Sequence, residues 1–156
     1  MKNKRREFLK TAGSSALFAS LGSSFFISCG DDDDLLPITI DEFAETGYVI
    51  DGNLYIIDLN HSSFSALTNE GSWKKFPEGG MLIVNVGSNV IRAFSNECPH
   101  ASCRTNWQYS NENFTCTCHT SIFSNSGDFI TGPSNDIEDL TSYVASINEN
   151  YLTIIK

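Results

Sequence analysis

The 156-residue chain is poor in positive charge over most of its length and has no long apolar run beyond its N-terminal segment. Residues 30–156 hold five basic side chains against eighteen acidic ones and net −13. Coulomb repulsion at that charge excludes polyanion binding, nucleic acid included, and favours a basic partner or none. With no further run long enough to cross a bilayer as a helix, a multi-span transporter or channel is excluded as well. There is no internal repeat, no heptad, no glycine-rich phosphate loop and no long stripe of period 3.6. What the chain does hold is 40% hydrophobic residues, enough for one packed domain and not comfortably for two. It also holds five cysteines, an odd number that asks which one stands apart.

Residues 1–29 have the opposite character, with five basic side chains and one acid for a net +4. Lys4-Arg5-Arg6-Glu7-Phe8-Leu9-Lys10 resembles a twin-arginine export signal, since the paired arginines are followed by x-Phe-Leu-Lys and a mildly apolar stretch over 11–28. Phe26-Ile27-Ser28-Cys29-Gly30 resembles the lipobox of bacterial lipoproteins, where a small residue precedes a cysteine that is acylated and becomes the mature N-terminus. Cys29 is therefore the expected lipidation site, and its acyl chains would hold a folded domain on a membrane. The four aspartates at 31–34 repel one another and read as a solvated spacer, giving an acidic tether over 30–36. These resemblances imply a membrane-anchored lipoprotein, exported to the periplasm or the outer surface. Twin-arginine export carries folded proteins, often already loaded, so the domain over 37–156 is expected to contain a cofactor.

From residue 37 onward, short β-branched and aromatic runs alternate with turn residues every eight to twelve positions, the pattern of an all-β domain. Strands are expected at 36–40, 48–50, 54–59, 81–86, 90–94, 106–109, 114–116, 129–131, 143–147 and 151–155. Asp51-Gly52-Asn53, Gly87-Ser88-Asn89 and Asn148-Glu149-Asn150 read as hairpin turns, because these residues tolerate positive φ. Residues 136–139 are expected to cap one short helical turn before Leu140.

Four of the five cysteines and two of the three histidines fall in two segments, Cys98-Pro99-His100-Ala101-Ser102-Cys103 and Cys116-Thr117-Cys118-His119-Thr120-Ser121-Ile122-Phe123. The spacing is C-x-H-x-x-C followed by C-x-C-H, so each segment can aim one thiolate and one imidazole at a metal. Two cysteines and two histidines also suit a tetrahedral zinc, and four cysteines also suit two disulfides. His61 lies outside these segments in a polar turn and reads as an ordinary surface residue.

The two segments resemble the two boxes of the Rieske iron–sulfur proteins. That resemblance implies an antiparallel β-sandwich with a smaller cluster-binding subdomain at about 95–134. It implies a [2Fe-2S] cluster with Cys98 and Cys116 on one iron and His100 and His119 on the other, and a disulfide between Cys103 and Cys118. Ser121 matches the serine that donates to a bridging sulfide. Phe123 stands where high-potential members place a tyrosine, and Gly132 and Pro133 match the loop covering the cluster on its third side. Thr120 replaces a glycine, and Ala101-Ser102 replace the Leu-Gly of the quinol-oxidising type, which speaks against quinol oxidation.

Exchanging two thiolates for neutral imidazoles eases reduction, giving such centres roughly −150 to +300 mV. The expected function is a membrane-tethered, one-electron carrier or redox-complex subunit. Its partner would be a c-type cytochrome or the large subunit of an exported oxidoreductase. The other reading is a cell-surface β-domain binding module with a structural zinc. Imidazole ligands at the solvent edge release their outer proton more easily when the iron is oxidised, which couples electron and proton uptake. The midpoint potential should therefore fall as pH rises through the neutral to alkaline range in a redox titration; a flat profile would contradict exposed histidine ligation.

Overall fold

A computed structural model of the protein describes residues 40–156. The signal at 1–29, Cys29 and the tether at 30–36 lie outside the described residues. So does the expected strand at 36–40 except for its last residue, and Ile40 opens a helix instead. Helix α1 (Ile40–Thr46) ends where Gly47, at φ 77°, donates its N–H to Phe43 O at 2.9 Å. Its apolar contact is Phe43, stacked on Tyr151 with ring centroids 5.8 Å apart.

Eleven strands follow. They are β1 (Tyr48–Asp51), β2 (Leu54–Asp58), β3 (Trp73–Phe76), β4 (Met81–Asn85), β5 (Ile91–Ser95), β6 (Trp107–Ser110), β7 (Asn113–Cys116), β8 (Ser121–Ser124), β9 (Phe129–Thr131), β10 (Ser142–Asn148) and β11 (Tyr151–Ile155). They form a seven-stranded sheet in the order β1-β2-β11-β10-β5-β4-β3 and a four-stranded sheet in the order β6-β7-β8-β9, with antiparallel pairing throughout. The fold is therefore all-β with a smaller sheet subdomain, as the resemblance implies. All three expected hairpin turns form, with Gly52, Ser88, Asn89 and Glu149 at positive φ.

Sequence patterning decides where the cores lie. Strand β4 is buried at every position, so the continuous apolar run Met81-Leu82-Ile83-Val84 feeds both of its faces. Met81 and Ile83 join Ile57, Phe64, Leu67, Phe76, Leu152 and Ile154 in one core. Leu82 and Val84 join Phe94, Trp107, Phe114, Phe123 and Leu140 in a second core, which glues the small sheet to the large one. Neighbouring residues of one strand point to opposite faces, so a single strand serves as the wall between the two cores.

Two strands were not legible as such. In β3, Lys74 and Lys75 interrupt the apolar pattern, yet Lys74 lies over the Phe64 ring at 4.9 Å and Lys75 bonds to Thr105 O. Lysines suit this strand because it is an edge of the sheet. The second, β8, coincides with the second Cys-His segment. Residues 136–139 form no helical turn. Asp139 instead accepts the Phe129 N–H at 2.7 Å, and Leu140 donates to Gly127 O at 2.8 Å, which draws the segment out in extended form and buries Leu140.

Phe94 is the hinge-pin of the second core. Its ring lies 5.9 Å from that of Phe114 and also fills the space over Gly127, where a Cβ would stand 2.6 Å from it. Replacing Phe94 with Ala should cost about 3–5 kcal/mol in denaturant unfolding. Gly127→Ala should cost at least about 1 kcal/mol, because it adds both a clash and a left-handed φ of 92°.

Candidate metal centre

Two loops carry the two Cys-His segments, and each is fixed by the strands it joins. The first runs from β5 to β6. Cys98 N–H donates to Cys103 O at 2.9 Å, and Ser102 N–H donates to Cys98 O at 2.8 Å, closing the loop on itself. Trp107 Nε1 donates to Asn96 O at 2.7 Å from the buried start of β6, and Lys75 Nζ donates to Thr105 O at 2.7 Å from β3. Arg104 pairs with Glu97 across the outside of the loop, but both side chains are well solvated, so that pair is worth at most about 1 kcal/mol.

The second loop reverses the chain between β7 and β8, whose register sets Cys116 opposite Ser121. Thr117 N–H donates to Asn106 O at 2.8 Å, lashing this loop to the end of the first. A disulfide joins Cys103 to Cys118, with 6.7 Å between the Cα atoms and a sequence separation of 15. In the chain-entropy account a bridge of that span stabilises the fold by roughly 3 kcal/mol.

The remaining Cys and His side chains of the two segments meet in two close pairs. Cys98 and Cys116 are free thiols, each 1% exposed, at the edge of the second core. His100 and His119 lie edge to face, with ring centroids 4.8 Å apart and planes at 78°. His100 is half-buried and His119 is exposed. Burial pushes the Cys116 thiol up to about 11, and the Cys98 thiol bonded beside it adds to the rise. The backbone N–H groups of Cys118 and His119, aimed at the Cys116 sulfur, pull the other way. The pocket is thus hostile to a bare thiolate while its backbone donors point at the sulfur, as they would for a sulfur bound to a cation.

Two further observations bear on what fits here. His100 Nδ1 and Ser121 Oγ are buried without a hydrogen-bond partner. Leaving such a group unpaired costs about 1–3 kcal/mol, and an inorganic cluster can satisfy both, as acceptor of an imidazole lone pair and of a hydroxyl hydrogen. Gly132 lies against the same place, since a Cβ there would stand 3.1 Å from Ser121 Oγ and 2.9 Å from Ile137 Cδ1. Pro133 beside it is exposed. Phe123 is fully buried, 5.9 Å from the Trp107 ring and 5.8 Å from that of Phe129, and brings no hydroxyl to the site.

A single tetrahedral zinc would draw its four donors within about 4 Å of one another. Among the described residues, the Cys, His and acidic side chains whose ligand atoms all lie within 4.8 Å of one another are Cys103, Cys116 and Cys118, two of which are already bonded together. The two thiols meet each other and the two imidazoles meet each other, two pairs that would suit the two irons of a cluster. His61 takes no part; its Nδ1 accepts the Ser63 N–H at 3.2 Å.

What the sequence reading missed is strain. Ser102 has φ 53° and Thr120 has φ 62°, the left-handed region in which side chains are disfavoured. These are two of the positions where this chain departs from the family's glycines, so the substitutions themselves were the available signal. Thr120 is the costlier, being β-branched; its hydroxyl donates to His119 O at 2.6 Å, which offsets part of the cost.

The fold and the centre together define a β-protein built to hold an iron–sulfur cluster between two disulfide-tied loops. The Rieske [2Fe-2S] domain matches residues 58–144, more than half of the chain, and the protein belongs to that family. As a Rieske domain it binds a [2Fe-2S] cluster. The chain is 30% identical over 82 residues to the cytochrome b6-f complex iron-sulfur subunit of Chlorobaculum thiosulfatiphilum, a match covering 53% of this chain and 44% of that protein. The chain thus spans less than half the length of that curated relative. Among solved structures it is similar to the plasma membrane Rieske protein PetC3 from Synechocystis PCC 6803, at 30% identity and TM-score 0.45 over 54% of this chain and 84% of that one. It is also similar to a chain of the reduced oxygenase–ferredoxin complex of carbazole 1,9a-dioxygenase, at 18% identity and TM-score 0.49 over 72% of this chain and 30% of that one.

Replacing Thr120 with Gly should relieve the left-handed strain. The gain of about 1–2 kcal/mol is partly offset by the roughly 0.5–1 kcal/mol of chain entropy that glycine costs. A net rise of up to about 1 kcal/mol in chemical unfolding is expected, with the visible spectrum of the cluster unchanged. A loss of stability would show that the hydroxyl bond outweighs the strain.

Proposed function

We propose that the protein is a one-electron carrier whose [2Fe-2S] cluster is held by Cys98 and Cys116 on one iron and by His100 and His119 on the other. The observation that carries this reading is the paired placement of two buried thiols and two imidazoles between tied loops, with His100 Nδ1 and Ser121 Oγ buried and unpartnered. When bound, the cluster supplies reversible uptake of one electron at a mid to high potential. This chain's own residues do the rest. The backbone N–H groups of Cys118 and His119 donate to the Cys116 sulfur, the Ser121 hydroxyl faces inward as a further donor, and the aromatic wall of Trp107, Phe114 and Phe123 keeps water from the thiol side. Exposed His119 leaves the imidazole side open as the route for electrons. Phe123 withholds the hydroxyl of the high-potential members, which sets the potential below theirs.

The partner follows from charge. Residues 40–156 carry fourteen acidic and five basic side chains. Each of the five cations is engaged internally: Lys74 on the Phe64 ring, Lys75 on Thr105 O, Arg92 on Asn125 and Ser126, Arg104 on Glu97, and Lys156 on Gly79 O. By that count the net charge a partner meets is negative, which suits a basic electron carrier such as a c-type cytochrome, or a basic face on the large subunit of an exported oxidoreductase. The tip around the imidazoles is small and polar, with Ala101, Ser102 and Thr120 exposed. Such a tip favours a transient hydrated contact over an apolar quinol pocket. Membership of a cytochrome b6-f-type complex is the second reading, favoured by the 30% identity over 82 residues to that subunit. The twin-arginine and lipobox resemblances support export and anchoring through Cys29, and no described helix is long and apolar enough to cross a membrane.

The full chain should be coloured and should bleach reversibly on mild one-electron reduction, with a rhombic electron-resonance signal averaging below the free-electron value. Cys98→Ser should abolish colour and signal, and a colourless, zinc-containing product from the native chain would overturn the reading. Electron transfer to a basic cytochrome should slow at least several-fold between low and high salt; a salt-independent rate would contradict the charge argument.

A further inference from the structure

Sulfur crowds the centre beyond what the proposed ligation uses. The Sγ atoms of Cys103, Cys116 and Cys118 all lie within 4.8 Å of one another, and Cys103 and Cys118 are bridged to each other. The third member, Cys116, is a free thiol, 1% exposed and hydrogen-bonded to the Cys98 thiol. A free thiol is thus held against a disulfide, and these are the two reactants of thiol–disulfide exchange. Cys116 closes β7, with Thr117 alone between it and Cys118, so one loop carries both the attacking sulfur and a leaving one.

We infer that these three sulfurs form an internal exchange switch: in protein without a cluster, the Cys116 sulfur attacks Cys103 and displaces Cys118. The Cys116–Cys103 bond forms as the Cys103–Cys118 bond breaks. The Cys116 thiol gives up its proton, and the released Cys118 sulfur takes one up. One disulfide and two thiols remain among the four cysteines, so neither an oxidant nor a reductant takes part. The inference rests on the proposed ligation only for what prevents the exchange, because a Cys116 sulfur committed to iron is not free to attack the bridge.

Connectivity selects Cys103 as the sulfur attacked. Bonding to Cys118 would close a tight ring across Thr117 and cut the disulfide tie between the loops, whereas bonding to Cys103 keeps them joined. The Thr117 N–H on Asn106 O, at 2.8 Å, holds the loops together through the step. The bond broken and the bond formed are of one kind, so both forms are populated. Exchange moves the free thiol from buried Cys116 to half-buried Cys118. Loss of the cluster is thereby converted into a thiol nearer solvent, and bridged Cys116 can no longer serve as a ligand. Uncatalysed rearrangement of this kind takes minutes to hours.

Maleimide labelling of the full chain after denaturation in acid, with the labelled cysteines located by mass spectrometry, tests it. The cluster-loaded chain should label at Cys98 and Cys116. After anaerobic removal of iron with a chelator, label should pass from Cys116 to Cys118 within hours, raising the Cys118 share at least ten-fold while the total over the four cysteines stays at two. Cys98→Ser supplies a second arm, since it starts without a cluster and releases neither iron nor sulfide. Its single free thiol should be found on Cys118 as well as Cys116. Label that stays on Cys116 in both arms, or that moves to Cys103 in place of Cys118, overturns the inference. So does a native total that falls to zero, by oxidation of Cys98 and Cys116 to each other, or rises to four, by opening of the bridge with released sulfide. A native chain that never holds a cluster would defeat the proposed ligation, and the Cys98→Ser arm would still decide the exchange.

Discussion

Two thiols pressed together in an apolar pocket cannot both carry charge unless something positive joins them. Burial pushes Cys116 up to about 11, and its neighbour Cys98 adds to the difficulty. The surrounding structure makes sense as an answer to that constraint. Backbone N–H groups point at the sulfur, a serine hydroxyl and an imidazole nitrogen are held inward without partners, and a disulfide prevents the two loops from separating. Each of these arrangements would be costly around an empty pocket, and a cluster would offset each; in the proposed ligation anionic sulfur would sit on one iron and neutral nitrogen on the other.

That arrangement depends in turn on how the two sheets are joined. Strand β4 faces two cores at once, and the second core carries Phe94, Trp107, Phe114 and Phe123 up to the cysteine side of the centre. Trp107 links the two levels, since its ring packs in this core while its Nε1 holds the first loop through Asn96 O. The thiol side is therefore buried among apolar side chains, and the imidazole side reaches solvent at His119. A carrier needs this asymmetry, because the cluster must be shielded from water yet remain within electron reach of a partner.

Much of this was legible in the sequence, and the reasons differ by feature. The alternating and continuous apolar runs gave most strands, because burial on one or both faces of a sheet writes a period into the chain. The Cys-His spacing pointed to the centre, because its donors come from two short loops that sequence can describe locally. The failures share one physical cause, which is dependence on distant partners. Strand β3 was hidden because its lysines find the Phe64 ring and Thr105 O, far away in sequence. Residues 136–139 stay extended because Phe129 and Gly127 claim Asp139 and Leu140. Helix α1 was hidden because seven residues form a helix only when capped and packed, here by Gly47 and by Tyr151. The strained φ at Ser102 and Thr120 was visible only as a departure from glycine.

The central claim is the unequal division of ligands, sulfur on one iron and nitrogen on the other. Electron–nuclear double resonance on the one-electron-reduced full chain addresses it directly. The account predicts two distinct nitrogen couplings of the size expected for directly bound imidazole, one of which is lost when His119 is replaced. A reduced cluster that shows no strongly coupled nitrogen, or that keeps both couplings without His119, would contradict it.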